Sequence, residues 1–316
     1  MSSTVYDKIV KCVSEAQSDN YDAQERALQA LASITKVSPQ NRNLVAQSEL
    51  GAIQALLNLI KSSSSSTIQV LSLAILFNLS LNPGLKRSLA SMETISHLNS
   101  IIASLETISQ ELGKLASSLV CSLAMNDKNK AKFGVAGTVE LLIEAISLGS
   151  NHDQHGIGMS LMAKHHLLSS LAELVQFHGN STLAVRSGVV QTLMDVVESD
   201  EGEELSGTCV AVLCLVAKFD EGLNEIKTTQ WIVSRMVNVV KGRCMMSKEG
   251  ATEILIRLFD ESEECVRDAM RLPEFLTILA DLSVRGSTKA REKASLLMKK
   301  MTEVDLDFGL DSYHPM

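Results

Sequence analysis

Aromatic side chains make up only 3% of this sequence, with a single tryptophan. That scarcity removes the stacking platforms on which single-stranded nucleic acid is read. Basic residues are outnumbered too: the formal net charge is −8, the wrong sign for a phosphate backbone. No uncharged apolar run reaches the length of about 18 residues that a membrane span needs, so no membrane insertion is expected. The opening "MSSTVYDKIVKC" has no apolar stretch behind a basic start, so no secretory leader is expected. The six cysteines (Cys12, Cys121, Cys209, Cys214, Cys244, Cys265) contain no C-x-x-C pair. They read as reduced thiols of a cytoplasmic or nuclear protein.

Hydrophobic residues nonetheless account for 45% of the chain, with only four prolines. A core of Leu, Ile, Val, Ala and Met in long Leu/Ala/Ser-rich stretches predicts an all-α protein.

Self-similarity sharpens that prediction. One phrase is an apolar helix opened by a small residue: "GAIQALLNLI" from Gly51, "GTVELLIEAI" from Gly137 and "GVVQTLMDVV" from Gly188. Weaker copies align on Ile95, Ile232 and Phe275, with spacings of 42, 44, 51, 42 and 43 from Ile53 onward. A second, longer phrase follows each, as in "LAILFNLSL" (73–81) and "SSLVCSLAM" (117–125). The position of Asn78 recurs as Ala30, Ser122, Glu173, Leu215, Arg257 and Lys299. From that position to the next opening helix, five junctions measure 17, 17, 17, 17 and 18 residues. Short segments with basic and amide residues, such as "NRNLVAQ" and "NKAKFGVA", lie between.

A unit of short, middle and long helix at this period resembles the armadillo repeat. The run 41–60, continuing to "LAILFNLS", is similar to the armadillo consensus. The expected fold is an armadillo-type right-handed α-solenoid of about six three-helix repeats with polar end caps, filling residues 1–301 as a single domain. Excess spacing places insertions at about 35–43 and 147–160. The acidic stretch 302–316 is expected to be a disordered tail. "KAREKASLLMKKMTEV" (289–304) supplies the polar C-terminal cap.

Within plant U-box/armadillo ubiquitin ligases the resemblance is closer. Their grammar "N-x-x-x-V-A-x-x-G-A-I-x-x-L-L-x-L-I" matches 43–60, and "A-x-x-x-L-x-N-L-S" matches 72–80. The resemblance implies a substrate- or regulator-binding half. A U-box, with its Cys-Pro-Ile opening, finds no room before repeats that begin near residue 5.

Armadillo folds line their concave face with the third helices, and the resemblance places the Asn78 position there. The candidate partner-binding groove is then Arg26, Asn78, Ser118, Ser122, Ser169, Glu173, Glu253 and Arg257. Asn78 and Ser122 would hold a ligand's backbone amides, while Arg26, Glu173, Glu253 and Arg257 would select charge. Karyopherin-alpha import receptors repeat a Trp four residues before that Asn. Here those positions are Arg26, Ala74, Ser118, Ser169, Ala211, Glu253 and Ser295, and Trp231 lies on a middle helix. A nuclear-import-type peptide binder is thereby disfavoured, while a component of a U-box-type ubiquitin-ligase system stands as the alternative reading.

No G-x-S-x-G elbow, phosphate loop or H-E-x-x-H suggests an enzyme. His152, His155, His165 and His166 cluster in sequence, but two sit in a Gly-rich segment and two are adjacent on a helix, so no metal or other cofactor is expected. The expectation is a non-catalytic, monomeric scaffold that binds a protein or peptide.

Overall fold

The computed structural model describes residues 2–104, 110–148, 161–199 and 202–311. Among them are twenty α-helices and no strand. An N-terminal half-unit, α1 (Ser2–Ala16) and α2 (Tyr21–Val37), precedes six three-helix repeats. The first is α3 (Pro39–Val45), α4 (Ala52–Ser62) and α5 (Ser66–Ser80). The second is α6 (Lys86–Leu89), α7 (Met92–Ala103) and α8 (Gln110–Ala124). The third is α9 (Asp127–Val135), α10 (Thr138–Leu148) and α11 (Leu161–Leu174). The fourth is α12 (His178–Arg186), α13 (Val189–Glu198) and α14 (Glu203–Val216). The fifth is α15 (Asp220–Thr228), α16 (Ile232–Lys241) and α17 (Met245–Glu261). The sixth is α18 (Glu263–Met270), α19 (Phe275–Arg285) and α20 (Thr288–Asp311).

These helices form two compact units, residues 1–180 and 181–316, divided within α12. In the first unit, third helices stack in the order α2, α5, α8, α11; in the second, α14, α17 and α20 do the same. The inner third helices α5, α8 and α17 therefore each have a neighbour of their own kind on either side, plus their own second helix. That is why α5 is apolar nearly all round: Leu73, Ile75, Leu76 and Leu79 are each at most 1% exposed. Burying such a side chain stabilises by about 1.5–3 kcal/mol, so stacking rather than helix propensity holds a repeat together.

The sharp corner between first and second helices repeats as well. Gly51, Gly137 and Gly188 sit there with φ of 60°, 74° and 77°, a left-handed turn that costs glycine little. In the fifth repeat the same corner, with φ 59°, falls on Trp231.

Polar side chains stitch successive repeats. Asn129, fully buried, donates through Nδ2 to Lys86 O and Leu123 O, both at 3.0 Å. Asn180 does the same one repeat later, to Lys130 O (2.9 Å) and Leu174 O (3.1 Å). Each ties the start of a first helix to its own preceding third helix and to the first helix before it. Asn99 and Thr138 add a second seam, Asn99 Nδ2 to Ala136 O (2.9 Å) and Thr138 Oγ1 to Asn99 Oδ1 (2.9 Å).

Two boundaries differ from the sequence reading. Residues 35–43 are not an inserted loop: α2 continues to Val37 and α3 starts at Pro39, with Ser38 Oγ capping Asn41 N. Because α2 runs about one turn further than expected, the residue matching Asn78 is Ile34 rather than Ala30, and most of the apparent excess disappears. At the other end α20 passes residue 301 and runs to Asp311. The second proposed insertion falls almost wholly on 149–160, outside the described residues, together with His152 and His155.

Candidate functional site: the third-helix face

The residues chosen from sequence for this face fall into three groups. Asn78 and Ser122 are interior: each is 6% exposed. Asn78 Nδ2 reaches back to α2, 3.1 Å from Thr35 Oγ1 and 3.4 Å from Ala32 O. Ser122 Oγ accepts from Ser80 Oγ at 2.8 Å and donates to Ser80 O at 3.3 Å. Both were expected to hold a partner's backbone. Their polar atoms instead bond the preceding repeat, because a buried amide or hydroxyl left without a partner costs about 1–3 kcal/mol.

The second group faces outward. One turn earlier on each third helix stand Ala30, Ala74 and Ser118, half-buried, and Ser169, exposed. The side chains at these four places are all small, and this row on α2, α5, α8 and α11 is the trough. Arg26 is exposed at one end, one turn beyond the small residue of α2, and Glu173 is half-buried at the other. Ser118 Oγ lies 3.2 Å from His166 Nδ1, and Cys121 Sγ lies 3.7 Å from Ser169 O, so α8 and α11 are joined by polar contacts beneath the trough. Among the described residues the buried His166 Nε2 has no hydrogen-bond partner. Burial, then the charges of Lys114 and His165, pushes the imidazole below its ordinary pKa. Lys86 is also lowered by burial, against the raising influence of Cys121 and Glu173.

The third group lies in the second unit and neutralises itself. Glu253 Oε1 accepts from Arg257 Nε at 3.1 Å, and Glu253 Oε2 pairs with Lys293 Nζ at 3.2 Å. Burial alone would raise the Glu253 carboxyl, but the bonds and charges of Lys293 and Arg257 outweigh it and hold the pKa below the ordinary range. Arg257 Nη1 also reaches back, 3.5 Å from the O of Ala217, the residue that caps the C-terminus of α14. The same repeat position thus bonds the preceding third helix through Asn78, Ser122 and Arg257.

Nucleophilic chemistry is disfavoured by the thiols themselves. Cys12, Cys121 and Cys265 are all raised, with burial as the main cause. Burial pushes Cys214 up to about 12, well beyond any thiolate population at neutral pH. Among the described residues no group of three or more His, Cys, Asp or Glu side chains is placed to hold a metal ion. No single described helix is long and apolar enough to cross a membrane. Both sequon-like asparagines, Asn78 and Asn180, are buried with their amides bonded inside the fold.

Three-helix repeats stacked through their third helices define an armadillo-repeat protein. A crystal structure of computationally designed armadillo repeat proteins for modular peptide recognition shares this fold, with a TM-score of 0.57 at 15% identity, covering 92% of this chain and 99% of the other. The chain belongs to the plant U-box protein ARM repeat region family, whose family model matches residues 5–309. It is 26% identical over 292 residues to U-box domain-containing protein 8 of Arabidopsis thaliana, covering 92% of this chain and 72% of that protein. To U-box domain-containing protein 1 of Medicago truncatula it is 31% identical over 123 residues, which span 38% of this chain and only 17% of that longer protein.

The asparagine stitches at Asn129 and Asn180 escaped the sequence reading. Their signal was present: each lies six residues after the last leucine of a third helix, Leu123 and Leu174.

Proposed function

We propose that this chain is a non-catalytic protein-binding scaffold that takes an extended or helical segment of a partner protein along its third-helix faces. The observation that carries the reading is the trough of Ala30, Ala74, Ser118 and Ser169. Small side chains at one position on four successive third helices let a partner's backbone approach closely, with Arg26 and Glu173 offering opposite charges at its ends. Membership of the U-box ARM repeat family and the peptide-recognition purpose of the designed relative support a binding role. The relatives' names carry the finer proposal: this chain supplies the substrate- or regulator-binding part of a ubiquitin-ligase system.

The test is affinity purification with wild type and with Ser169→Arg, which puts a long side chain into the row at its exposed position, where the serine hydroxyl bonds only His165 O of its own helix. Partners recovered by wild type should be lost from the variant while its thermal midpoint is retained. An unchanged partner set sinks the groove reading. Ubiquitin ligation by the purified chain, given activating and conjugating enzymes alone, sinks the non-catalytic one.

A further inference from the structure

Trp231 is the chain's only tryptophan, and 74% of it is exposed. Two local terms oppose a tryptophan there. An indole gains by leaving water, and here it does not. Its backbone, at φ 59°, occupies the left-handed turn that glycine fills at the three equivalent corners, which costs an L-residue about 1–2 kcal/mol. Neither term is repaid by packing within the fold, as the exposure shows. A strained residue that the fold does not need is a pointer to function.

The ring stands on a ridge between two clefts of the second unit. One, of about 750 Å³, runs from the α15–α16 corner to α18 and holds Lys227, Glu261, Glu264, Asp268 and Arg271. The other, of about 640 Å³, holds Glu198, Glu225 and Arg235. Two of these carboxylates are already matched: Asp268 with Arg271 at 2.9 Å, and Glu198 with Arg235. Among the described residues Glu225, Glu261 and Glu264 form no ion pair, and Lys227 is the one cation lining the two clefts without one. An aromatic face flanked by surplus carboxylates complements a guanidinium, which stacks on the ring and forks onto an oxygen pair.

We propose that Trp231, with Glu225, Glu261 and Glu264, docks an arginine-bearing segment of a partner protein. The site draws on α15, the α15–α16 corner, the end of α17 and the start of α18, and shares no residue with the trough, so it stands or falls independently of the function proposed above.

Because Trp231 is the sole indole, its emission reports occupancy directly. Titrating the full chain with a hexapeptide alternating glycine and arginine should give a saturable emission change. Glu261→Gln/Glu264→Gln should weaken that affinity roughly tenfold, whereas Glu111→Gln/Glu144→Gln, on the first unit, should leave it unaltered. Trp231→Gly, followed by anisotropy of the labelled peptide, should lose binding to a similar degree while its thermal midpoint stays level or rises. Emission unchanged at millimolar peptide overturns the proposal, as does equal weakening by the two carboxylate pairs. Concentration-dependent dimerisation abolished by Trp231→Gly also overturns it, since the occupant is then a second copy of this chain.

Discussion

Asn78 Nδ2 lies 3.1 Å from the hydroxyl oxygen of Thr35, one repeat away on the neighbouring third helix. The Thr35 proton is already committed to its own helix, at 2.8 Å from Leu31 O and 3.1 Å from Ala32 O. Its lone pair is therefore free to accept the amide. Removing the donor with Asn78→Ala should destabilise the first unit by about 1–3 kcal/mol, read as a lower urea midpoint. If Asn78 instead serves a partner, binding should fall with no change in that midpoint.

Asn129 bonds two carbonyls from a fully buried position. Asn129→Ala strips partners from two carbonyls in a fully buried place, and about 1–3 kcal/mol should be lost. Asn129→Asp should be worse, because it aims carboxylate oxygens at Lys86 O and Leu123 O. Thermal unfolding of the two variants tests the order; a milder aspartate would contradict the bonding described.

His166 couples the trough to pH. Its folded pKa is below the ordinary 6.5, so as pH falls through that value the unfolded chain takes up a proton before the folded one. Stability should then decline below pH 6.5, down to the lowered folded pKa. Urea midpoints measured from pH 7.5 to 5 should slope for wild type and flatten for His166→Leu.

Glu253 acts in a more acidic window. Its folded pKa is depressed below 4.5, so its stabilisation is complete above 4.5 and disappears as pH falls through the folded value. Glu253→Gln should be less stable at neutral pH, and its acid limb should be shallower. Equal acid limbs would show that Lys293 and Arg257 do not hold the carboxylate as described.

The repeat period was legible because αL glycines and amphipathic second helices recur at fixed distances, and Gly51, Gly137 and Gly188 are visible as letters. Which way Asn78 points was not. A helix such as α5, flanked by α2 and α8, has no polar face from which rotation can be read, so a core amide and a groove amide look alike. The start of the array was misjudged by a turn for a similar reason. Ala30 and Ile34 lie one turn apart on α2, and only the position of the Ser38 cap decides between them. At Trp231 the sequence concealed the corner, since no tryptophan announces a positive φ.

The backward reach of Asn78, Ser122 and Arg257 also bears on where such a protein can be cut. Each of these bonds joins one repeat to the previous one, so repeat boundaries in sequence are not boundaries in bonding. A fragment ending after Ser80 keeps its own donor satisfied but leaves Ser80 without Ser122. One starting at Pro39 leaves Asn78 facing emptiness where Thr35 had been. Loss therefore falls differently on the two ends, and trimming from the amino terminus strands a buried amide.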